Sequence, residues 1–473
     1  MPRPSRTIKR LWLAGVALAA FVATLAVGNA FLPDHKRLTA RTLGHDFLAF
    51  YTAGEFVRTN RLADLYDLPK VKAFQHDLAR RENLEIGQSF GPFWNPPFYA
   101  WPFAPISALP YRQAVNTWWA VNAIALAGAL WMLMRVLRGN VSSEAPGHQE
   151  GARAPLSAFS IQHSQFSILP RQTTLLLPLL LLVSMPLIQA FSHGQNSFVS
   201  LALLAATVVC WRSNKPIRAG LIAGLLMYKP QLGAVVAVAL VLTMGWRALI
   251  GLSITGLALA AVTFLTLPGT LPDYLRLMPG NLKLFQIDQP YLWDRHVTLR
   301  AFWRLLIQGR DAGDMLWPAR LCWLASCAAI AVGLFRAFLA VRRTTSPAAR
   351  DLFIAAVVCA MPLVMPFYFD YDLLLLAIPA VLTARVVLTR TVGQTFLSAQ
   401  TPPSHRALFW SWCALFLYLV VNSTIARVTH VNGTVLLLTA ITTLTIRQTI
   451  AHARAVTPLS TPQAPTTSLA AAA

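Results

Sequence analysis

The sequence predicts an all-α polytopic membrane protein with about twelve transmembrane helices. Of its 473 residues, 56% are hydrophobic and only 12% are charged, which lies outside the composition of soluble globular domains. Apolar runs approaching the roughly 20 residues that cross the hydrocarbon layer recur along the chain, with short Lys and Arg clusters between them. Because every backbone polar group must be satisfied within a segment in lipid, we expect these runs to be helices.

The predicted spans follow the apolar runs and their flanking positive charges. The positive-inside rule places the N-terminal cluster of Arg3, Arg6, Lys9 and Arg10 in the cytoplasm, together with the basic clusters at 135–138, 212–218, 336–343 and 385–390. An even number of spans leaves both termini inside. The spans are expected near 11–32, 114–134, 173–191, 196–211, 217–229, 231–245, 248–267, 318–338, 352–367, 371–389, 407–426 and 431–448.

The segment from Ile217 to Met244 decides whether this count holds, because it is too long for one ordinary span and short for two. A single helix would bury Lys229 at the middle of the bilayer and kink at Pro230. A hairpin of two short helices instead brings Lys229 to the outer face. We therefore expect the hairpin.

One transmembrane domain is predicted over residues 1–454. A polar cytoplasmic insertion interrupts it at 141–172, a linker at 393–405, and a disordered C-terminal tail follows at 455–473. The apolar run at 11–32 is expected to be a retained first helix, because it is long for the apolar region of a signal peptide and no small-x-small cleavage site stands out before Phe31.

The charge and the cysteines exclude several classes of protein. The net charge of +22 comes from short clusters between apolar runs, which indicate topology and not a nucleic-acid interface. The five cysteines lie in or beside apolar runs without paired spacing, so neither a disulfide framework nor a zinc site is predicted. We expect no metal site, no cofactor and no nucleic-acid partner.

Acidic residues concentrate on the predicted outer face. Of the 18 Asp and Glu residues, 13 fall in the loops 33–113 and 268–317, and Asp370 and Asp372 lie at a third outer turn. In such a place, a carboxylate can take a proton from an acceptor hydroxyl while Arg and Lys side chains hold a lipid phosphate. Asp46 is the candidate base. The alternative is that it caps an interfacial helix over 48–57.

Six further residues are candidates for substrate binding on that face, each with a structural alternative. Lys229, Arg295 and His296 suit a phosphate, although Arg295 and His296 are also ordinary loop charges. His193 and Gln195 line the same cavity or merely end a helix, and Asp372 shapes an acceptor site or caps a helix. Four tryptophans in the first outer loop and the following span are expected to form an aromatic belt: Trp94, Trp101, Trp118 and Trp119.

A series of short motifs resembles glycosyltransferase family 87, a family of the GT-C class that includes polyprenyl-phosphate-mannose-dependent mannosyltransferases. The resemblance extends from about Asp46 to Asp372. The chain departs from the family at Asn95, where Tyr is common, and at 295–298, where an Asn-Gln-Ser-like stretch is usual. The motifs are Asp46-Phe47, Tyr51, Ala53-Gly54, Leu65-Tyr66-Asp67, Asn95-Pro96-Pro97-Phe98, Gly194-Gln195-Asn196, Ala219-Gly220 and Lys229-Pro230.

The resemblance implies an inverting transfer of a hexose, with mannose as the implied sugar, from a polyprenyl-phosphate donor to a glycolipid or glycan acceptor. It implies Asp46 as the general base, on the extracytoplasmic face of a multi-pass protein in the inner (plasma) membrane. A lipid or sugar transporter is the alternative. A transporter would carry internal inverted repeats and polar groups at mid-span, and neither is clear in the sequence.

Overall fold

The structure is a computed structural model that describes residues 44–138, 171–389 and 403–455, together with Leu13, Val16, Ala17 and Ala20. Most of the first span, the insertion, the linker and the tail predicted above lies outside the described residues. The helices are α1 Phe47–Arg58, α2 Leu68–Glu82, α3 Ala104–Ser107, α4 Tyr111–Arg138, α5 Arg171–Leu182, α6 Met185–His193, α7 Ser197–Arg212, α8 Pro216–Gly224, α9 Pro230–Met244, α10 Trp246–Thr266, α11 Thr270–Gln286, α12 Leu299–Gln308, α13 Trp317–Val341, α14 Pro347–Val364, α15 Ala377–Thr389, α16 Pro403–Tyr418, α17 Asn422–Thr429 and α18 Gly433–Arg454.

The prediction of an all-α membrane protein is confirmed. Within the described residues, five helices are long and apolar enough to cross a membrane, and up to seven if each of two bent pairs counts as one span. The five are α4, α10, α13, α14 and α18, and the bent pairs are α5 with α6 and α16 with α17. The total of twelve stays a prediction, because several apolar runs form helices of 9 to 16 residues, shorter than the roughly 20 that a span needs.

The core surrounds α14, in which every side chain from Asp351 to Leu363 is buried. This helix packs against α13, α15 and α18. By contrast, α10 and α13 expose large apolar side chains such as Leu257 and Leu321 along one side. A central buried helix and outer helices with apolar exposed faces fit a protein surrounded by lipid.

The segment around Lys229 forms two helices, as the hairpin prediction requires. A 3-10 turn over Leu225–Tyr228 ends α8, and α9 begins at Pro230. The two helices pack on one another, and a Cβ on Gly233 would lie only 3.1 Å from the Leu226 Cβ. Both α8 and α9 are shorter than a full span, and Lys229 lies at the junction between them, while the hairpin itself stays a prediction.

One end of the bundle carries a buried cluster of opposite charges. The Asp351 carboxylate accepts hydrogen bonds from Arg212 Nε at 2.6 Å and from Arg385 Nη1 at 3.2 Å. Asp351 lies near the start of α14, whereas the turn at 368–372 follows the other end of that helix. Arg212 and Arg385, two of the basic residues that we assigned to the cytoplasm, are therefore separated by the length of α14 from the turn at 368–372.

The helix predicted at 48–57 exists as α1, but the expectation that it lies at the interface is wrong. All of its residues except Glu55 and Arg58 are buried. The aromatic segment 97–103 forms a 3-10 helix that packs directly against it, so closely that a Cβ on Gly54 would clash with the Phe103 carbonyl. Aromatic and small residues pack on several sides of α1, which fixes the position of Asp46 at its start.

Candidate active site

The residues just before α1 form one part of the site, and their backbone is hydrogen-bonded to the end of α6. Gly44 N donates to Ser192 O at 2.8 Å, and Asp46 N donates to His193 O at 2.9 Å. Tyr111 on α4 donates its hydroxyl to Gly44 O at 3.0 Å. Three segments that are distant in sequence are thereby held together at Asp46.

The turn after α6 needs glycine at position 194. Gly194 has φ +70°, and a Cβ there would lie 3.0 Å from both Gly44 Cα and Phe47 Cβ. Its carbonyl accepts a hydrogen bond from Trp118 Nε1 at 2.8 Å. Trp118 is therefore a buried structural residue, and the prediction that it belongs to an aromatic belt is wrong. The left-handed turn directs Gln195 toward Asp46.

The Asp46 side chain is not used as a helix cap. Asp46 occupies the N-cap position of α1, but its side chain accepts no capping hydrogen bond, and Oδ2 instead accepts from Gln195 Nε2 at 2.7 Å. The carboxyl group is half-buried, and no donor among residues 44–138, 171–389 and 403–455 binds its Oδ1. One oxygen is thus fixed and the other is accessible.

Arg295 lies beside this carboxylate in a charged pair. It binds Asp370 in a bidentate manner, with Nη2 2.8 Å from Oδ1 and Nε 3.1 Å from Oδ2. Its Nη1 lies 3.3 Å from His193 Nε2, and Gln189 Nε2 donates to Asp370 Oδ2 at 3.2 Å. Burial alone lowers the pKa of Arg295, but Asp370, with Tyr371 and Asp46, outweighs it and raises the pKa.

Lys229 and Asp372 form a second buried pair. Lys229 Nζ lies 3.0 and 3.3 Å from the two oxygens of Asp372, and Ser197 Oγ donates to Oδ1 at 2.6 Å. The Tyr371 ring lies between the two pairs, 5.5 Å from Lys229 Nζ and 6.0 Å from Arg295 Cζ. The cation on Lys229 is therefore neutralised by a carboxylate that the sequence did not pair with it.

His296 is fully buried next to the same turn. Its Nε2 lies 3.0 Å from the Tyr291 hydroxyl, and its ring centroid lies 4.0 Å from that of Phe369. Burial, followed by the charges of Arg295 and Arg300, lowers its pKa to about 3, so the ring is neutral at physiological pH. His296 holds the 293–297 loop against the 367–369 strand-like segment, and its buried ring is closed to a ligand.

The motif residues of the first outer loop form a connected network behind these pairs. Tyr66 donates its hydroxyl to Asn95 O at 2.9 Å, and Asn95 Nδ2 donates to Tyr228 O at 2.8 Å. Tyr99 stacks on Tyr228 with centroids 4.3 Å apart, and Asn196 Nδ2 donates to the Tyr99 hydroxyl at 3.0 Å. The short motifs seen in the sequence are therefore in contact in the fold.

Asp64 and Asp67, the two acids next to Tyr66, form local contacts and do not belong to the site. Asp64 pairs with Arg61 and Lys70 at the surface, and Asp67 accepts the Lys70 backbone hydrogen bond that caps α2.

Two residues of the site, Gln189 and Ser197, were not found from the sequence. The only available signal for Gln189 is its position four residues before His193 on one helix face.

The comparisons with known proteins give one match. The model of Glycosyltransferase family 87 matches residues 93–366, which is more than half of the chain. Gln195, Lys229 and Arg295 fall within the matched range, whereas Asp370 and Asp372 lie just after it and Asp46 lies well before it. Neither the curated proteins nor the solved structures contain a match to this chain.

Proposed function

Because this chain belongs to glycosyltransferase family 87, we propose that it is a membrane glycosyltransferase that takes a hexose, mannose in this proposal, from a polyprenyl-phosphate carrier. The acceptor is a hydroxyl group of a lipid-linked or envelope glycan. The reaction takes place on the extracytoplasmic face of the inner (plasma) membrane. The observation that carries this proposal is the Asp46 carboxylate, half-buried and held at one oxygen by Gln195.

The proposed step is a single displacement. Asp46 Oδ1 accepts the proton of the acceptor hydroxyl as the hydroxyl oxygen attacks the anomeric carbon of the donor. The bond between the anomeric carbon and the phosphate oxygen breaks, and its electron pair leaves with the polyprenyl phosphate. Attack from the face opposite the phosphate inverts the configuration of the anomeric carbon.

Positioning explains the role that we assign to Gln195. A carboxylate at a helix start can rotate about its side-chain bonds, and each rotation moves the basic oxygen. The hydrogen bond from Gln195 Nε2 removes this freedom, and the backbone bond from Asp46 N to His193 O fixes the main chain. Proton transfer requires heavy atoms within about 3 Å of one another, so this fixation favours the reaction.

Arg295 is the residue that we assign to the departing phosphate. Asp370 orients its guanidinium, and Asp46 lies close enough to stabilise its charge. Lys229 and Asp372 form a neutral pair on the far side of Tyr371 and support the floor of the site. His193 lies between the base and Arg295, and His296 holds the Arg295 loop in place.

The test uses membranes containing this chain and a polyprenyl-phosphate mannose labelled in the sugar. The proposal predicts a new labelled glycan or glycolipid whose anomeric configuration is the inverse of that of the donor. Membranes with the Asp67→Asn variant serve as the control, because the Asp67 side chain caps α2 and pairs with Lys70 away from the site. Movement of intact donor across the bilayer without a new product would instead indicate a transporter.

A further inference from the structure

Arg300 stands out because its guanidinium is surrounded by aromatic rings. It lies in the first turn of α12 and is partly buried. Its Cζ atom lies 5.0 Å from the ring centroid of Phe367, 5.4 Å from that of Trp293 and 6.0 Å from that of Trp323. Ring faces attract a cation, but they supply no acceptor for its five N–H groups.

No described group binds those N–H donors. The neighbouring arginines are paired: Arg295 with Asp370, and Arg310 and Arg427 with the fully buried Asp294. Arg304 donates to the carbonyl groups of residues 311 and 313. In the part of the chain that the structure describes, Arg300 alone of the arginines here that are at least partly buried has neither a carboxylate nor a carbonyl partner; the nearby Arg320 has none either, but it is exposed.

The surroundings of Arg300 are also positively charged. Burial, followed by the charge of Arg304, lowers its pKa; Arg320 acts in the same direction, and Tyr291 opposes it. A partly buried cation without a partner is unfavourable, and an anion beside it removes that cost. The place is therefore suited to a negatively charged ligand.

The charges of the proposed active site indicate that a donor phosphate needs a further cation. Three carboxylates, on Asp46, Asp370 and Asp372, face the two cations Arg295 and Lys229. The two ion pairs use both cations and leave the base unpaired. Arg295, which we assign to the departing phosphate, is already neutralised by Asp370, so binding of a donor that adds another negative charge is favoured by a further cation that no carboxylate has neutralised.

Arg300 also lies between aromatic rings that lead toward Arg295 and a helix that exposes apolar side chains. The rings of Phe367, His296 and Phe369 follow one another toward Arg295, with centroids 6.0 and 4.0 Å apart. On the other side, Trp323 belongs to α13, whose neighbouring Leu324 is 53% exposed on the apolar surface. A phosphate bound at Arg300 would thus lie next to an apolar surface, and the lipid chain attached to the phosphate would pack on that surface.

We propose that Arg300 binds the phosphate group of a lipid, the polyprenyl-phosphate donor, at the edge of the active site as the donor enters, before that phosphate reaches Arg295. This inference rests on the proposed function, because it takes the donor to be lipid-linked. The chemistry that Arg300 recognises is a phosphate on an apolar chain, which a bilayer phospholipid also carries, so the experiment compares the two sources.

The experiment measures binding of polyprenyl phosphate to the purified full-length chain in detergent, followed by native mass spectrometry. Arg300→Gln is expected to weaken binding about tenfold or more, since it removes charged hydrogen bonds. Arg300→Lys is expected to recover part of the affinity. Arg112→Gln changes an exposed arginine at the start of α4 and is expected to bind as the unmodified chain does. Equal affinity for Arg300→Gln and the unmodified chain would overturn the inference.

Two further measurements distinguish loss of phosphate binding in Arg300→Gln from general damage to the fold and from binding of a bilayer phospholipid. Polyprenol, which lacks the phosphate, is expected to bind Arg300→Gln and the unmodified chain equally; an equal loss for both ligands overturns the inference. Phosphatidylglycerol is expected to compete poorly, and displacement of polyprenyl phosphate at equal concentration assigns Arg300 to bilayer lipid and overturns the donor assignment.

Sugar transfer by the same samples distinguishes this inference from the proposed function. If the unmodified chain transfers the sugar and Arg300→Gln keeps its donor KM, only the role of Arg300 is wrong. If the unmodified chain transfers no sugar, the proposed function itself fails. A raised donor KM with an almost unchanged kcat in Arg300→Gln supports both.

Discussion

Gln195 donates a hydrogen bond from Nε2 to Asp46 Oδ2 over 2.7 Å, although 149 positions of the chain separate the two residues. The contact depends on the left-handed turn at Gly194 and on the backbone bonds from residues 44 and 46 to the end of α6. It joins the proposed base to a motif that falls within the family match, whereas Asp46 itself lies outside that match.

Replacing Gln195 by Ala is expected to lower kcat about tenfold to a hundredfold while the donor KM stays within about twofold, since a freely rotating carboxylate is a poorly placed base. Steady-state kinetics in membranes check this. Gln113→Ala is the matched control, because Gln113 is exposed in the first turn of α4. A rise in the donor KM of the size expected for the fall in kcat, with kcat itself unchanged, would assign Gln195 to substrate binding instead.

The bidentate pair of Arg295 and Asp370 is expected to act as a unit. Arg295→Lys keeps the charge but loses the planar geometry, so transfer should fall at least tenfold. Asp370→Asn should cause a similar loss, and the double variant should be little worse than either single one, with a coupling free energy of about 1–3 kcal/mol. A double-mutant cycle on kcat/KM measures the coupling, and additive losses would show that the two residues act separately.

The buried pair of Lys229 and Asp372 is expected to matter for stability. Lys229→Met leaves the Asp372 carboxylate buried without its cation, which costs about 3–5 kcal/mol. The double variant Lys229→Met with Asp372→Leu should recover much of that loss. Thermal unfolding in detergent compares them with Lys70→Met, which removes an exposed ion pair. If Lys70→Met lowers the unfolding temperature as much as Lys229→Met does, the buried pair contributes no more to stability than an exposed pair.

His296 is expected to make the fold sensitive to acid. Its pKa is about 3 in the folded chain and 6.5 in the unfolded one, so the unfolded chain binds more protons between these values. The stability that depends on a neutral His296 is complete above about pH 6.5 and is lost as the pH falls toward 3. His296→Gln removes the titrating ring, and its unfolding temperature should fall less steeply between pH 7 and 5. Parallel pH profiles for the two chains would contradict this explanation.

Parts of the site follow from the sequence because charge is rare in this chain. Asp46, Lys229 and Arg295 are conspicuous among apolar neighbours, and the rule that charges avoid the bilayer places them on one face. The break at Lys229 also follows, because Pro230 cannot continue a helix bonded to the preceding turn.

The pairing within the site does not follow from the sequence. Whether Lys229 meets a ligand or Asp372 depends on how α9 packs against the turn at 370–376, and periodicity carries no information on that contact. Arg300 was missed for the same reason, since an arginine without a partner looks like a paired one until its neighbours are known. The burial of α1 was missed because apolar and aromatic residues favour a membrane interface and a protein core alike.

The number of spans depends on a similar ambiguity. A run of about 15 apolar residues is typical of a buried helix as well as of a short span. In α7 and α9 the protein itself covers part of the surface that lipid would otherwise cover, so length alone does not separate the two cases.

The most direct test of the account is the turnover of the Asp46→Asn variant with labelled polyprenyl-phosphate sugar, measured alongside donor binding and thermal unfolding. The amide keeps the shape of the side chain but cannot take the proton, so we expect transfer to fall by roughly 10²- to 10⁴-fold with donor affinity and unfolding temperature nearly unchanged. Turnover at the rate of the unmodified chain would contradict the assignment of Asp46 as the base.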